Sequence, residues 1–282
     1  MKKVKMLGLL VVMLLLAGIF PVKTYAAGWI QGDNGLWWYQ HEDESYTTSG
    51  WETIGGKNYY FDEAGRMKTG WLKLENTWYY LSIYGDMQTG WKNIGGAWYY
   101  LKEDGAKMTG WQNIGNNRFY LDGSGAMYTG WLKLGNNWYY MNNSGAMLRG
   151  WQSIGGAWYY LNEDGVMLTG WQKIGNNWFY LNESGAMTTG WQNVGGTWYY
   201  MNNSGAMLTG WQVIGGAWYY LDGSGAMHTG WIRLGETWYY LNASGAMAAN
   251  TWIGSYYVDE NGEWIPGKVR SKIIAIDAGH QR

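Results

Sequence analysis

Tryptophans recur along the chain at a spacing that places aromatic surface at many equivalent points. A Gly-Trp pair appears every twenty residues from Trp51 to Trp231, and in most copies a second tryptophan follows seven residues later. The face of a tryptophan ring attracts cations, and a flat aromatic face also stacks on sugar rings. With 23 Trp and 25 Tyr, the chain is rich in such faces. Such faces can bind an organic cation or a carbohydrate, but many of these rings must pack in the hydrophobic core, because the chain has little else to bury.

Catalytic side chains are sparse by comparison. The chain has no cysteine, which excludes disulfides and Cys-based zinc clusters. Its three histidines, His41, His228 and His280, share no spacing that groups them. The glycines recur at turn positions, which explains them without a phosphate-binding loop. We therefore expect binding rather than catalysis, and no cofactor, from most of the chain.

The charge balance excludes one class of partner. Twenty Lys and Arg stand against 21 Asp and Glu, which gives a formal net charge of -1, and no basic cluster occurs beyond the extreme N-terminus. Binding driven by nucleic-acid phosphates is therefore not expected. The low charged fraction of 15% also argues against a disordered chain.

The fixed period predicts an array of small structural units that must position the rings. Each unit has two turn signals, a pair such as Gly95-Gly96 and a polar run such as that at 142–145. The segments between them are too short for helices and high in strand preference. Because an isolated hairpin is marginally stable, the units must stack. The sequence predicts an all-β fold, a solenoid of stacked β-hairpin repeats.

Both faces of the second strand in each unit are apolar. In the segment Trp-Tyr-Tyr-Leu, Trp158 and Tyr160 share one face, whereas Tyr159 and Leu161 share the other. One face would build the spine, and the other would shape grooves between hairpins. The alternation of side chains does not decide which of the two faces builds the spine. We expect methionines such as Met87 to pack in the spine.

The N-terminus resembles an export signal. Lys2, Lys3 and Lys5 precede an apolar run over residues 6–20, which is short for a membrane span and fits a signal peptide. We expect residues 1–26 to be removed near Ala26, which predicts a secreted protein without a membrane partner. The alternative is an uncleaved N-terminal anchor.

The remaining boundaries follow the repeat phase. Residues 51–250 hold ten repeats, flanked by degenerate capping repeats at 27–50 and 251–266, and the composition changes again over 267–282. Capping units are expected to differ from internal ones.

A family resemblance rests on the repeat itself. Gly-Trp, followed seven residues later by Trp-Tyr-Tyr and then by Gly-Ala-Met-x-Thr-Gly, resembles the cell-wall-binding (choline-binding) repeat of Gram-positive surface proteins. The resemblance covers residues 28 to about 265. It implies a superhelical stack of hairpins that holds choline, or choline-bearing teichoic acid, between consecutive repeats. Two alternatives are a polysaccharide lectin, as in the related glucan-binding repeats, and an adhesin stalk.

The resemblance also implies particular cages. Each takes both tryptophans of one repeat and an aromatic ring of the next, for which we choose the last tyrosine because it shares a strand face with its own tryptophan. The sets are Trp71, Trp78 and Tyr100; Trp91, Trp98 and Tyr120; Trp131, Trp138 and Tyr160; Trp151, Trp158 and Tyr180; Trp171, Trp178 and Tyr200; Trp191, Trp198 and Tyr220; and Trp211, Trp218 and Tyr240. Asn58 and Arg118 replace the second tryptophan elsewhere, so we predict that the Trp51 and Trp111 sites are weak or absent.

The last residues suggest a different domain. The segment Lys272–Arg282 contains Asp277-Ala-Gly-His280 and resembles the opening strand of zinc-dependent N-acetylmuramoyl-L-alanine amidases, in which His280 would be the first zinc ligand. A capping strand with an incidental histidine is the alternative. A catalytic zinc needs about three protein ligands and an open position for water. We therefore expect zinc and catalysis only from a complete amidase domain, and a wall-associated binding module here.

Overall fold

The computed structural model describes residues 26–270, which form twenty-four short strands and no helix. Consecutive strands pair into twelve two-stranded sheets, so the all-β prediction of stacked hairpin repeats is confirmed for this part of the chain. The strands are β1 (Gly28–Gln31), β2 (Trp37–Gln40), β3 (Gly50–Ile54), β4 (Lys57–Phe61), β5 (Gly70–Leu74), β6 (Thr77–Leu81), β7 (Gly90–Ile94), β8 (Ala97–Leu101), β9 (Gly110–Ile114), β10 (Asn117–Leu121), β11 (Gly130–Leu134), β12 (Asn137–Met141), β13 (Gly150–Ile154), β14 (Ala157–Leu161), β15 (Gly170–Ile174), β16 (Asn177–Leu181), β17 (Gly190–Val194), β18 (Thr197–Met201), β19 (Gly210–Ile214), β20 (Ala217–Leu221), β21 (Gly230–Leu234), β22 (Thr237–Leu241), β23 (Thr251–Ile253) and β24 (Tyr256–Val258).

The described chain divides into two compact units. The first ends at Gln112 and also includes Leu121–Met127, and the second includes Asn113–Tyr120 and continues from Tyr128. The same hairpin is the building block of both units. No helix within residues 26–270 is long and apolar enough to cross a membrane.

Tight glycine turns fix the register of the hairpins. Gly95 and Gly96 have φ angles of +62° and +89°, and a two-residue turn with both angles positive matches the twist of antiparallel strands. In the hairpin of β15 and β16, this register sets Trp171 opposite Tyr180 and Lys173 opposite Trp178. The turn thus decides which rings face each other across a hairpin.

A polar turn follows each hairpin and returns the chain to the stack. The Asn142 Oδ1 atom accepts hydrogen bonds from the N–H groups of Ser144 and Ala146, at 3.0 Å each. Gly145 completes the turn with a φ of +79°. Met147 then forms a single antiparallel bridge with Met141.

Each of these loops follows its own hairpin, and one backbone hydrogen bond links it to the hairpin before that one. The N–H of Met207 donates to the carbonyl oxygen of Trp178 at 2.8 Å, and equivalent bonds recur along both units. Lys107 stands in the methionine position and still donates to Trp78 at 2.8 Å. Because both partners are main-chain atoms, the link does not depend on the side chain at that position.

The core of each unit contains fully buried side chains, one at the end of the second strand of every hairpin after the first. Leu161, the last residue of β14, is 0% exposed, whereas Trp158 on the opposite face is 47% exposed. The face of Tyr159 and Leu161 therefore builds the spine, and the face of Trp158 points outward. The equivalent fully buried residues are Phe61, Leu81, Leu101, Leu121, Met141, Leu181, Met201, Leu221, Leu241 and Val258.

Candidate functional site

An open aromatic cage lies between successive hairpins of the second unit. The rings of Trp171 and Trp178 are 6.5 Å apart at 83°, and the ring of Tyr199 from the next hairpin is 4.7 Å from Trp171. Trp178 is 42% exposed, so the cage opens to solvent. The cleft has a volume of about 340 Å³ and is lined by Trp171, Trp178, Tyr199, Met207, Gly223 and Ser224. Its size is at the lower end of the range for small-molecule sites.

The same geometry recurs at other junctions of this unit. Trp191 and Trp198 are 6.4 Å apart at 86°, and with Tyr219 and Met227 they line a cleft of about 310 Å³. The two tryptophans are also nearly perpendicular, at 89° and 87°, in the cages of Trp131 with Trp138 and of Trp211 with Trp218. At Trp151, the ring from the next hairpin is Phe179, at 4.9 Å.

At six junctions, the ring of the next hairpin that contacts the first tryptophan is not the tyrosine that the sequence analysis selected; these are the junctions of Trp71, Trp131, Trp151, Trp171, Trp191 and Trp211. Tyr199, the middle aromatic residue of its strand, reaches Trp171, whereas Tyr200 packs at 5.1 Å on Trp191 of its own hairpin. The reason is the register, which sets the last tyrosine opposite the Gly-Trp tryptophan of the same hairpin. The same contact within one hairpin is made by Tyr100, Tyr160, Tyr180, Tyr220 and Tyr240, and Tyr120 lies 6.4 Å from Tyr128.

The methionines have two roles. Met207 packs closely on a loop backbone, since a Cβ atom at Gly225 would lie 2.4 Å from its sulfur, and Met207 also lines the Trp171 cage. The sequence analysis expected only the packing role. In most repeats the equivalent of Met207 lies at the same sequence distance from the equivalents of Trp171 and Trp178, and this fixed spacing was the signal in the sequence for the second role.

The C-terminal junction has a fourth ring. Trp231, Trp238, Tyr256 and Trp264 line a cleft of about 390 Å³, and Tyr256 lies 6.0 Å from Trp264. The N–H of Trp264 donates to the Trp238 carbonyl at 2.8 Å, so Trp264 occupies the methionine position. The sequence analysis missed this cage because the last repeat is shortened, which shifts Trp264 out of the twenty-residue phase.

The N-terminal hairpin carries rings at positions equivalent to those of the cages, an equivalence that the sequence analysis missed. Trp29 lies 4.8 Å from Tyr59 of the next hairpin, and the register places Trp37 opposite Gln31, as Trp178 is placed opposite Lys173. The longer turn between β1 and β2 hides this equivalence in the sequence.

Two junctions of the first unit differ from the others. At Trp71, the cage contains the ammonium group of Lys107, whose Nζ atom is 5.3 Å from the Trp71 ring centre and 5.5 Å from that of Trp78. At Trp51, the second tryptophan is replaced by Asn58, whose Oδ1 atom accepts a hydrogen bond from Thr53 at 2.7 Å. That the Trp51 and Trp111 sites are weak stays a prediction, as does the assignment of Trp91, Trp98 and Tyr120.

Metal ligands do not gather in the described part of the chain. Within residues 26–270, no three His, Asp or Glu side chains lie close enough together to hold a metal ion. His280, the zinc ligand suggested by the amidase resemblance, lies outside the described residues.

Comparisons with known proteins agree with the cage geometry. A family model for the choline-binding repeat matches residues 48–87, 108–149, 148–189, 168–209, 188–223 and 208–252. A second model, for a cell wall binding repeat, matches residues 89–107. No curated protein matches the chain.

Solved structures from Streptococcus pneumoniae are similar along most of the chain. CbpJ is 36% identical, with a TM-score of 0.66 over 85% of this chain and 100% of CbpJ. Choline binding protein F, solved with a tetrasaccharide-pentapeptide peptidoglycan analogue, is 34% identical. Its TM-score is 0.62 over 86% of this chain and 99% of choline binding protein F. The modular autolysin LytC, solved with a synthetic peptidoglycan ligand, is 30% identical, with a TM-score of 0.53 over 79% of this chain and 52% of LytC. The chain therefore belongs to the family of choline-binding repeat proteins, which are typically associated with the cell wall.

Proposed function

We propose that the chain is a secreted cell-wall-binding module that holds choline groups of an envelope polymer in the cages between its hairpins. The observation that carries this proposal is the open cage of Trp171, Trp178 and Tyr199, repeated with the same geometry at neighbouring junctions. The natural partner is then a polymer that presents choline at many points, such as choline-bearing teichoic acid.

The chemistry of the cage suits a quaternary ammonium group. Such a group has no N–H to donate, so ring faces rather than hydrogen-bond acceptors must recognise it. Each ring face contributes on the order of 0.5–2 kcal/mol. The cleft at Trp171 is lined by rings, Met207 and the small residues Gly223 and Ser224, without a carboxylate. This lining favours a bulky, weakly hydrated cation.

The arrangement of the rings disfavours the carbohydrate alternative. A sugar ring stacks on one flat aromatic platform, whereas the paired tryptophans stand at 83° to 89° to each other and enclose a compact group. The family relationship also points to choline rather than to glucan.

Targeting of a wall amidase is part of the proposal. The chain spans about half of the modular autolysin LytC, which shows that such repeats occur beside other modules. An amidase role here would require a complete zinc site around His280.

A choline titration of two matched variants tests the cage assignment. Trp178→Ala removes one wall of a cage, whereas Lys173→Ala changes the exposed residue directly opposite on the same hairpin. Since Trp178 is exposed and lies outside the buried core, we expect Trp178→Ala to fold normally and to lose one choline site per chain. Calorimetry gives the number of sites, and Lys173→Ala should keep all of them.

Two outcomes would contradict the proposal. One is an unchanged number of sites in Trp178→Ala. The other is a tryptophan fluorescence change produced by gluco-oligosaccharides and not by choline.

A further inference from the structure

The Trp71 cage of the first unit contains a cation that belongs to the chain. The Nζ atom of Lys107 lies 5.3 Å from the Trp71 ring and 5.5 Å from the Trp78 ring, within the ~6 Å over which a ring face attracts an ammonium group. The same atom donates a 2.5 Å hydrogen bond to the carbonyl oxygen of Ser124. The Trp71 and Trp78 rings keep the open-cage geometry, 6.3 Å apart at 89°.

The sequence explains how Lys107 reaches this position. Residues 105–110 read Gly-Ala-Lys-Met-Thr-Gly, so lysine stands where other repeats have the cage methionine. The stem of Lys107 covers Gly125, whose added Cβ would lie 2.9 Å from the lysine Cδ, much as Met207 covers Gly225. Lysine is one atom longer than methionine and ends in a charge, so its ammonium group extends into the space between the rings.

Two effects act in opposite directions on the charge of Lys107. Burial lowers the pKa of Lys107, and the attraction of the Asp122 carboxylate opposes this shift. The tethered ammonium group is also present at a high effective concentration, on the order of millimolar or above. A ligand from solution must compete with it.

We propose that Lys107 is a built-in occupant of the Trp71 cage and keeps external ammonium ligands out of that junction. The exclusion of choline rests on the proposed function, whereas the occupancy of the cage by Lys107 does not. The residue at the methionine position thus decides whether a junction with complete rings is available.

Exchange of side chains at this position tests the exclusion. Lys107→Met should add one choline site per chain without changing the others, and the converse Met207→Lys should remove one. Lys102→Met, which changes an exposed lysine of the same loop, is the matched control and should bind like the parent chain. An unchanged number of sites in Lys107→Met would overturn the exclusion.

A measurement without ligand tests the occupancy. Protons above an indole face experience a ring-current shift, so in an NMR spectrum with labelled lysine we expect the Lys107 ε-methylene signal upfield of that of Lys102. Trp78→Ala should move the Lys107 signal back toward the position of Lys102. A Lys107 signal that coincides with Lys102 in the unmodified chain would overturn the occupancy. If choline fails to bind any variant, the proposed function fails, and this spectrum still decides where Lys107 lies.

Discussion

At the residue scale, Trp264 sets the C-terminal cage apart, because a ring replaces the methionine found at other junctions. We predict that Trp264→Met weakens choline binding at the Trp231 cage by about 1 kcal/mol, or roughly fivefold, since one ring face is lost. The indole N–H signal of Trp238 during a choline titration would report this site separately. Met207→Trp is the converse control and should strengthen the Trp171 cage. Equal affinities before and after Trp264→Met would show that the fourth ring does not contact the ligand.

Single residues also mark the limit of what the sequence predicts. The pairing of Trp171 with Trp178 follows from their spacing and strand preference. The choice between Tyr199 and Tyr200 does not, because both faces of the strand are apolar and only the contact between hairpins decides which face is buried. The sequence shows Lys107 as an exchange within Gly-Ala-Met, but the consequence of this exchange depends on the cage rings of Trp71 and Trp78, which come from an earlier repeat.

At the element scale, the polar turns come in an acidic and a neutral version. The Asp222 Oδ1 atom accepts hydrogen bonds from the Ser224 hydroxyl at 2.6 Å and from the N–H groups of Ser224 and Ala226 at 2.8 and 3.0 Å. Asn202 makes the same three contacts in the preceding repeat. The hydrogen bond from the Ser224 hydroxyl, followed by those from the backbone, lowers the pKa of Asp222 below its usual 3.8, although burial opposes the shift.

This difference predicts a dependence of stability on pH. A carboxylate with a lowered pKa in the folded state stabilises the fold above its usual pKa, and this contribution is lost as the pH falls through the lowered value. In Asp222→Asn this loss should be absent. We expect the melting temperature of the parent chain to fall relative to that of Asp222→Asn as the pH drops below about 4. Asn202→Asp should add a similar loss of stability at low pH. If the melting temperatures of all three proteins changed with pH by the same amount, the prediction would be contradicted.

The hairpins themselves were the most predictable elements. Gly95-Gly96 and the run at 142–145 predict the two turns of a unit, and the structure has a turn at both places. The equivalence of the first hairpin with the others was not predictable in the same way, because its longer turn moves Trp37 out of phase. Only the backbone register, which pairs Trp37 with Gln31, restores that equivalence.

At the scale of the whole molecule, the proposed function sets many weak sites against one polymer. Tethered sites raise the effective concentration for each further contact, which multiplies avidity by roughly 100-fold or more. We predict that successive replacement of Trp178, Trp198 and Trp218 by alanine lowers, at every step, the choline concentration that elutes the protein from choline-bearing walls. The affinity of each remaining cage for free choline should not change.

The matched control replaces the exposed residues opposite these tryptophans, Lys173, Asn193 and Val213, by alanine. This triple variant should elute like the parent chain. Equal elution of the tryptophan series and the control would mean that retention on walls does not depend on the cages.

The backbone bond between the Met207 N–H and the Trp178 carbonyl has a consequence for how such a chain changes over generations. An in-frame gene duplication or deletion of one period rejoins identical main-chain partners at the new border, so the array grows or shrinks without redesign. The side chain at a given place in the repeat can differ from copy to copy, as Lys107 and Trp264 illustrate. Under the proposed function, the number of copies would set how firmly the protein holds a surface, and individual codons would set which copies take part.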